Sequence, residues 1–193
     1  MKRSLSLVGA LALSFAALSA QAQPMGPAPM GPAQMAPRPM HPGMMPGSGL
    51  PTPEYVHAAA QSDEFEIAEA KIALAQSHNP HVKMFAHKMI HDHTQSTMMI
   101  KAAIRQDGHM VPPPPPLSPM QHQMIGQLRA AAGPDFDKTY VDQQIQAHDM
   151  ALSTHQGYAQ SGGNTALRDT AGKIVPVVQM HLQMLHDMQS HMA

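Results

Sequence analysis

The sequence predicts an all-α protein, a four-helix bundle with one long crossover that contains a short extra helix. Three observations predict it. Apolar residues recur at helical spacing through four stretches of roughly 25 residues, the ends of those stretches carry capping residues, and a proline-rich connection separates the second stretch from the third. The chain has no cysteine, so stability rests on a packed core, with no disulfide, thiolate metal site or cysteine nucleophile.

The chain opens with Lys2 and Arg3, an apolar run from Leu5 to Leu18 and the small-x-small site Ala20-Gln21-Ala22. These features predict a cleaved signal peptide over residues 1–22 and a periplasmic or secreted product. No later segment approaches twenty apolar residues, so no membrane span is expected after cleavage. Without Lys2 and Arg3 the chain holds 10 basic against 13 acidic residues, mixed in sign along its length. That balance gives no basic surface for nucleic acid. The 14 histidines and 19 methionines stand out instead, because both are ligands for soft or borderline metals.

Residues 23–52 are rich in Pro, Gly and Met and have almost no charge, which predicts a disordered, partly polyproline II tail. Met25, Met30, Met35, Met40 and Met45 recur every five residues. Thioethers at that spacing suit Cu(I) or Ag(I), although a plain spacer is the favoured reading, because only His41 accompanies them.

The helical domain is expected over residues 53–190. Its first helix starts with Thr52 as cap and Pro53 at the first position and runs to about Ser77. Glu66, Ala70, Ala73 and Ser77 share one side of it, whereas Glu69 is expected to be solvated. Asn79 and Pro80 start the second helix, which ends near Gly108. Val82, Phe85, Ala86, Met89, Ser96, Ile100, Ala103 and Ile104 form its apolar face, with His93 in the middle and Asp92 at the border. His87 and His91 have metal-ligand spacing but fall on the polar side.

Pro112 to Pro116 stiffen the connection, and Ser118-Pro119 caps a short helix to about Ala132. The next long helix is expected over Asp135 to Gln160, with Tyr140, Val141, Ile145, Ala151 and Leu152 inside, His148 central, and Asp137 and His155 on the same azimuth. Asn164 caps the last, from Thr165 to Gln189, whose apolar face includes Leu167, Ile174, Val178, Leu185 and His181. Pro176 is expected to kink it one turn before His181. Met180, Met184, Met188 and Met192, interleaved with His181, His186 and His191, form a second Met/His-rich region.

Counting residues from the turns at 1.5 Å per residue puts Glu66 and His93 within roughly 3 Å in height, and His148 and His181 within roughly 6 Å. One polar group from each long helix thus converges near mid-bundle. Bundles build metal sites at such positions, so Glu66, His93, His148 and His181 are the candidate metal ligands, with Asp92 orienting one of them from behind.

The strings SNPHVKMFAHKMIHDHT and GPDFDKTYV, followed by His148 and then Pro176 before His181-Leu182, resemble the exported bacterial family known as domain of unknown function 4142, grouped with the ferritin-like superfamily. The resemblance covers about Tyr55 to Ser190. It implies the ferritin-like fold and export, implies no established activity, and places the family's recurring acidic and histidine positions on Glu66, Asp92, His93, His148 and His181.

Di-iron bundle proteins use Glu-x-x-His pairs, yet Ile90, Ile145 and Val178 stand three residues before the three histidines here. One glutamate and three histidines suit a single Zn, Cu or Fe ion instead. Two other readings compete: a metal-free, hydrogen-bonded core in a structural or stress-related binding module, and a Cu/Ag buffer built on the Met/His-rich segments. No nucleophile elbow, phosphate loop or His-Glu-x-x-His motif points to an enzyme.

Overall fold

The computed structural model describes residues 50–192; the expected signal peptide, and the expected tail up to residue 49, lie outside the described residues. Five helices and no strand occur among them: α1 (Thr52–Gln76), α2 (Pro80–Gln106), α3 (Pro119–Ala130), α4 (Gly133–Ser161) and α5 (Thr165–Ser190). None of the described helices is long and apolar enough to cross a membrane.

Local chemistry sets most of the boundaries. The Asn79 side chain accepts from the His81 N–H at 2.9 Å, and that of Asn164 from the Leu167 N–H at 2.9 Å. Ser118 and Gln121 complete a reciprocal capping box at the start of α3. Past the end of α2, Gly108 takes φ +74°, a conformation that costs glycine little. The start of α1 differs from expectation. Pro51 occupies the cap position without a side-chain bond, and Thr52 is already helical. Its hydroxyl is drawn instead to the Tyr158 hydroxyl, 2.8 Å away on α4. α5 runs through Pro176 as one helix.

The helices pack as a bundle in which α1 lies against α2 and α4, and α5 against α4 and α2. Bonds at the ends give the directions. Ser77 at the end of α1 donates to Asp137 at the start of α4 (2.6 Å), and Asp107 just past α2 accepts from Asn164 at the start of α5. Neighbouring helices are therefore antiparallel, and the connection from α2 to α4 traverses the length of the bundle. α3 interrupts this connection and seats Met124 and Ile125 against Phe65 and Ala147.

The core is divided. One apolar cluster holds Tyr55, Ile100, Ile104, Leu167 and Ile174, and another holds Phe85, Met89, Tyr140, Val141 and Leu185. Between them lies a polar layer that includes Glu66, His93, His148 and His181.

At one end the Tyr55 and Tyr158 rings stack with centroids 3.8 Å apart. A Cβ at Gly162 would stand 2.5–2.6 Å from the Tyr158 ring, which the stack and the Thr52 bond hold in place. Gly162→Ala is therefore expected to cost about 1–3 kcal/mol by overpacking, measurable by urea unfolding, with α4 and α5 still formed by circular dichroism.

Candidate metal centre

The buried positions of α2 are Val82, Phe85, Ala86, Met89, His93, Ser96, Ile100, Ala103 and Ile104, the face that the apolar periodicity predicts. His93 is thereby carried into the polar layer, where its ring meets those of His148 and His181 with centroids 5.4 and 5.6 Å away. The latter two rings are 5.3 Å apart. One ring nitrogen from each of the three histidines lies within 4.8 Å of the other two. Phe85 closes the layer from one apolar side, 6.1 Å from the His181 ring.

Each ring is held from behind. His148 Nδ1 donates to the Gln144 carbonyl (2.8 Å), an acceptor only, so its neutral form keeps a lone pair on Nε2. His181 Nε2 donates to the Asp92 carboxylate (2.8 Å), which leaves the lone pair on Nδ1. Those two remaining nitrogens face each other at 3.3 Å. His93 Nδ1 donates to Asp63 (2.9 Å), and its Nε2 is buried without a hydrogen-bond partner.

The acidic groups complete the layer. Glu66 is 0 % exposed. Its Oε2 is 2.9 Å from His93 Nδ1 and its Oε1 is 3.4 Å from His148 Nδ1, but neither oxygen is aligned to accept a hydrogen bond. Asp63 accepts from Thr97 as well as from His93, and Asp92 also meets Lys88 at 3.0 Å and His91 at 2.7 Å. A cavity of about 10 Å³ lies among Asp63, Glu66, Asp92, His93 and His181. That is room for one atom-sized guest, and for no organic substrate.

Burial and charge act in opposite directions here. Burial pushes the Glu66 carboxyl up, but the charge and the contact of His93 outweigh it and hold it low. Burial pushes His93 down, and Glu66 and Asp63 more than reverse this, so the metal-free layer holds His93 as an imidazolium. For His148 and His181 burial prevails, leaving both rings neutral at pH 7, His181 with a value of about 4.

Three of the four sequence-predicted ligands, His93, His148 and His181, therefore bring ring nitrogens together, whereas Glu66 joins the same layer in a second group with Asp63 and His93, and Asp92 stands behind His181. His87 and His91 are exposed, on the polar side where the periodicity puts them. His155 is buried and bonds to the Tyr55 hydroxyl (3.1 Å), while Asp137 serves the α1–α4 contact.

Two acidic residues change the sequence-based picture. Asp63, three residues before Glu66 and so on the same side of α1, was available as a signal but falls outside the apolar pattern. Glu69, expected to be solvated, is buried and accepts from the Gln144 side chain at 2.9 Å. The reason is that α1 packs against α2, α3 and α4, so its buried arc is wider than one apolar stripe.

Burial raises the Glu69 carboxyl to about 8, against the Gln144 bond and with help from Glu66. The folded protein then retains a proton that the unfolded chain releases, so stability falls as pH rises from 4.5 through 8. Glu69→Gln should match the parent protein near pH 5 and exceed its stability at pH 9 by about 2–4 kcal/mol in urea titrations.

Residues 36–188 match the model of the family described as Domain of unknown function (DUF4142). The chain belongs to this family. The match spans all five helices, so the polar layer lies wholly inside the DUF4142 domain. No curated protein and no solved structure matches the chain.

Proposed function

We propose that this DUF4142 domain binds one transition-metal ion in the middle of its bundle, through His93, His148 and His181, with the Glu66 carboxylate beside them. The observation that carries the reading is the facing pair of nitrogens, His148 Nε2 and His181 Nδ1, each left with its lone pair because the other nitrogen of its ring is committed to an acceptor. Two lone pairs at 3.3 Å repel unless a proton or a metal ion lies between them, and burial disfavours the protonated form of both rings. A tetrahedral ion with bonds of about 2.0–2.1 Å spaces its ligand nitrogens about 3.3–3.4 Å apart. The second-nitrogen anchors at Gln144, Asp92 and Asp63 are the support that metal-bound imidazoles use. The Glu66 carboxylate lies on the Nδ1 side of His93 and His148 and offsets the ion's charge from there.

Nitrogen and oxygen donors without thiolate suit Zn, Cu or Fe. The four long helices and the end-to-end crossover support a ferritin-like bundle, in which a mononuclear ion takes the place that a carboxylate-bridged pair occupies in di-iron proteins. The sequence of residues 1–22 supports export, so the ion would be bound outside the cytoplasm. Among the described residues that line the cavity, neither Ser62 nor Ser96 is hydrogen-bonded to a histidine base, and the reading is one of binding rather than hydrolysis.

The imidazolium of His93 between Asp63 and Glu66 favours a second reading, in which the layer is a metal-free ion-pair network in a structural module. Metal analysis of untagged protein, with titration of the metal-free form by Zn(II), Cu(II) and Fe(II), decides between them. One equivalent bound, and lost in His93→Ala and His148→Ala, is the expected result; no binding of any ion leaves the metal-free network. The proposed Cu/Ag role of the methionine repeat falls on residues outside those described.

A further inference from the structure

A buried ion needs a way in, and the bundle holds a second, much larger space that nothing above uses. A cleft of about 710 Å³ opens between α1, α2, the proline-rich connection and the α4–α5 turn. Its walls are apolar, with Val56, Ile104 and Pro112 to Pro115 among them. Polyproline is stiff, and the Gln61 side chain donates to the Pro116 carbonyl at 2.7 Å, so this wall is fixed relative to α1. Among the described residues that line the two spaces, Asp63 alone lines both the cleft and the ion-sized cavity.

Asp63 faces both ways. Its Oδ1 meets His93 Nδ1 at 2.9 Å, inside the polar layer, and its Oδ2 accepts at 2.7 Å from Thr97, which lines the cleft. Glu64, the next residue, and His57, six residues earlier on α1, line the cleft too, opposed by Lys101 as the single lysine of its lining. Carboxylates between low-dielectric walls concentrate their field in the gap and draw cations toward it.

We infer that the cleft is the uptake route for a divalent transition-metal ion, with His57 and Glu64 as transient ligands and Asp63 at the junction where the ion passes from the cleft into the polar layer. This rests on the metal-binding reading above and adds to it a direction of approach. It gives the proline run a role as a strut. It also gives Asp63 a role in delivery distinct from the three histidine ligands.

The test is stopped-flow uptake of Co(II) by the metal-free full-length protein, read from the visible ligand-field band. Ala60→Phe narrows the cleft, and His57→Ala with Glu64→Gln removes its transient ligands from exposed positions, where folding is little affected. Both are expected to slow uptake roughly tenfold, the lower end of electrostatic steering, while the final band and the one-to-one endpoint stay as in the parent protein. Parent-like rates in both variants overturn the route. So does selective slowing by Val177→Phe, which would place the path at the seam between α2 and α5. Absence of any band in the parent protein overturns the metal site itself, and the route with it.

Discussion

Replacing His93 with leucine is expected to destabilise the metal-free protein by about 3–5 kcal/mol at pH 6.5, the cost of removing one partner from a buried ion pair. The imidazolium is the cation that Asp63 and Glu66 approach at 2.9 Å each, and leucine would leave two buried carboxylates facing an apolar side chain. The sign of the pH dependence follows from the two shifts. Because the Glu66 value is lowered, its contribution is present above 4.5 and lost as pH falls through the folded value. Because the His93 value is raised, its contribution is complete below 6.5 and lost as pH rises through the folded value. The gap between parent and variant should therefore narrow in alkali, as the imidazolium gives up its proton. It should narrow again in acid, where the stranded carboxylates of the variant take up protons. Urea unfolding from pH 4 to 10 measures this, and a gap independent of pH would show that His93 acts by packing alone.

The second large effect concerns metal. At a free Zn(II) concentration 100 times the dissociation constant, the parent protein should gain about 2.7 kcal/mol. For a chain of this size that raises the melting temperature by roughly 5–10 °C. His148→Ala and His181→Ala should each abolish the rise, because each removes one of the two facing nitrogens. Asp92→Asn should keep one equivalent of metal but weaken it about 10–100-fold, since the carboxylate orients the His181 ring without touching the ion. Affinity should fall in acid in the parent protein as well, because the ion competes with protons for these nitrogens. Calorimetric titration with matched melting curves reads all three variants, and an undiminished Zn(II) response in His148→Ala would remove the ring pair from the site.

How much of this was legible in the sequence varied from helix to helix. α2 was readable in full, because a single apolar stripe with one histidine in it leaves no choice about which side faces inward. His148 and His181 were readable for the same reason, and the capping residues Asn79, Ser118 and Asn164 fixed helix starts. α1 was not. Its buried side includes Asp63, Glu66 and Glu69 as well as Ala70 and Ala73, so polar residues face the core and the periodicity is blurred. Glu69 was misplaced on that account. Thr52 was misread because its hydroxyl finds a tertiary partner, Tyr158, that no local pattern announces. The Gln144 carbonyl could not be read at all, since a backbone acceptor carries no sequence signal. The 3.3 Å approach of two imidazole nitrogens is likewise a property of how α4 and α5 pack, not of either helix alone.

X-ray absorption at the metal edge of the Zn(II)- or Cu(II)-loaded, untagged protein tests the central claim most directly. A four-donor shell at about 2.0–2.1 Å is expected in the Zn(II) form, with the outer-shell scattering of three imidazoles and one oxygen donor, and no such shell in His148→Ala. A shell with fewer than two imidazoles, or one dominated by sulfur from methionine, would contradict it and move the metal chemistry away from the bundle core.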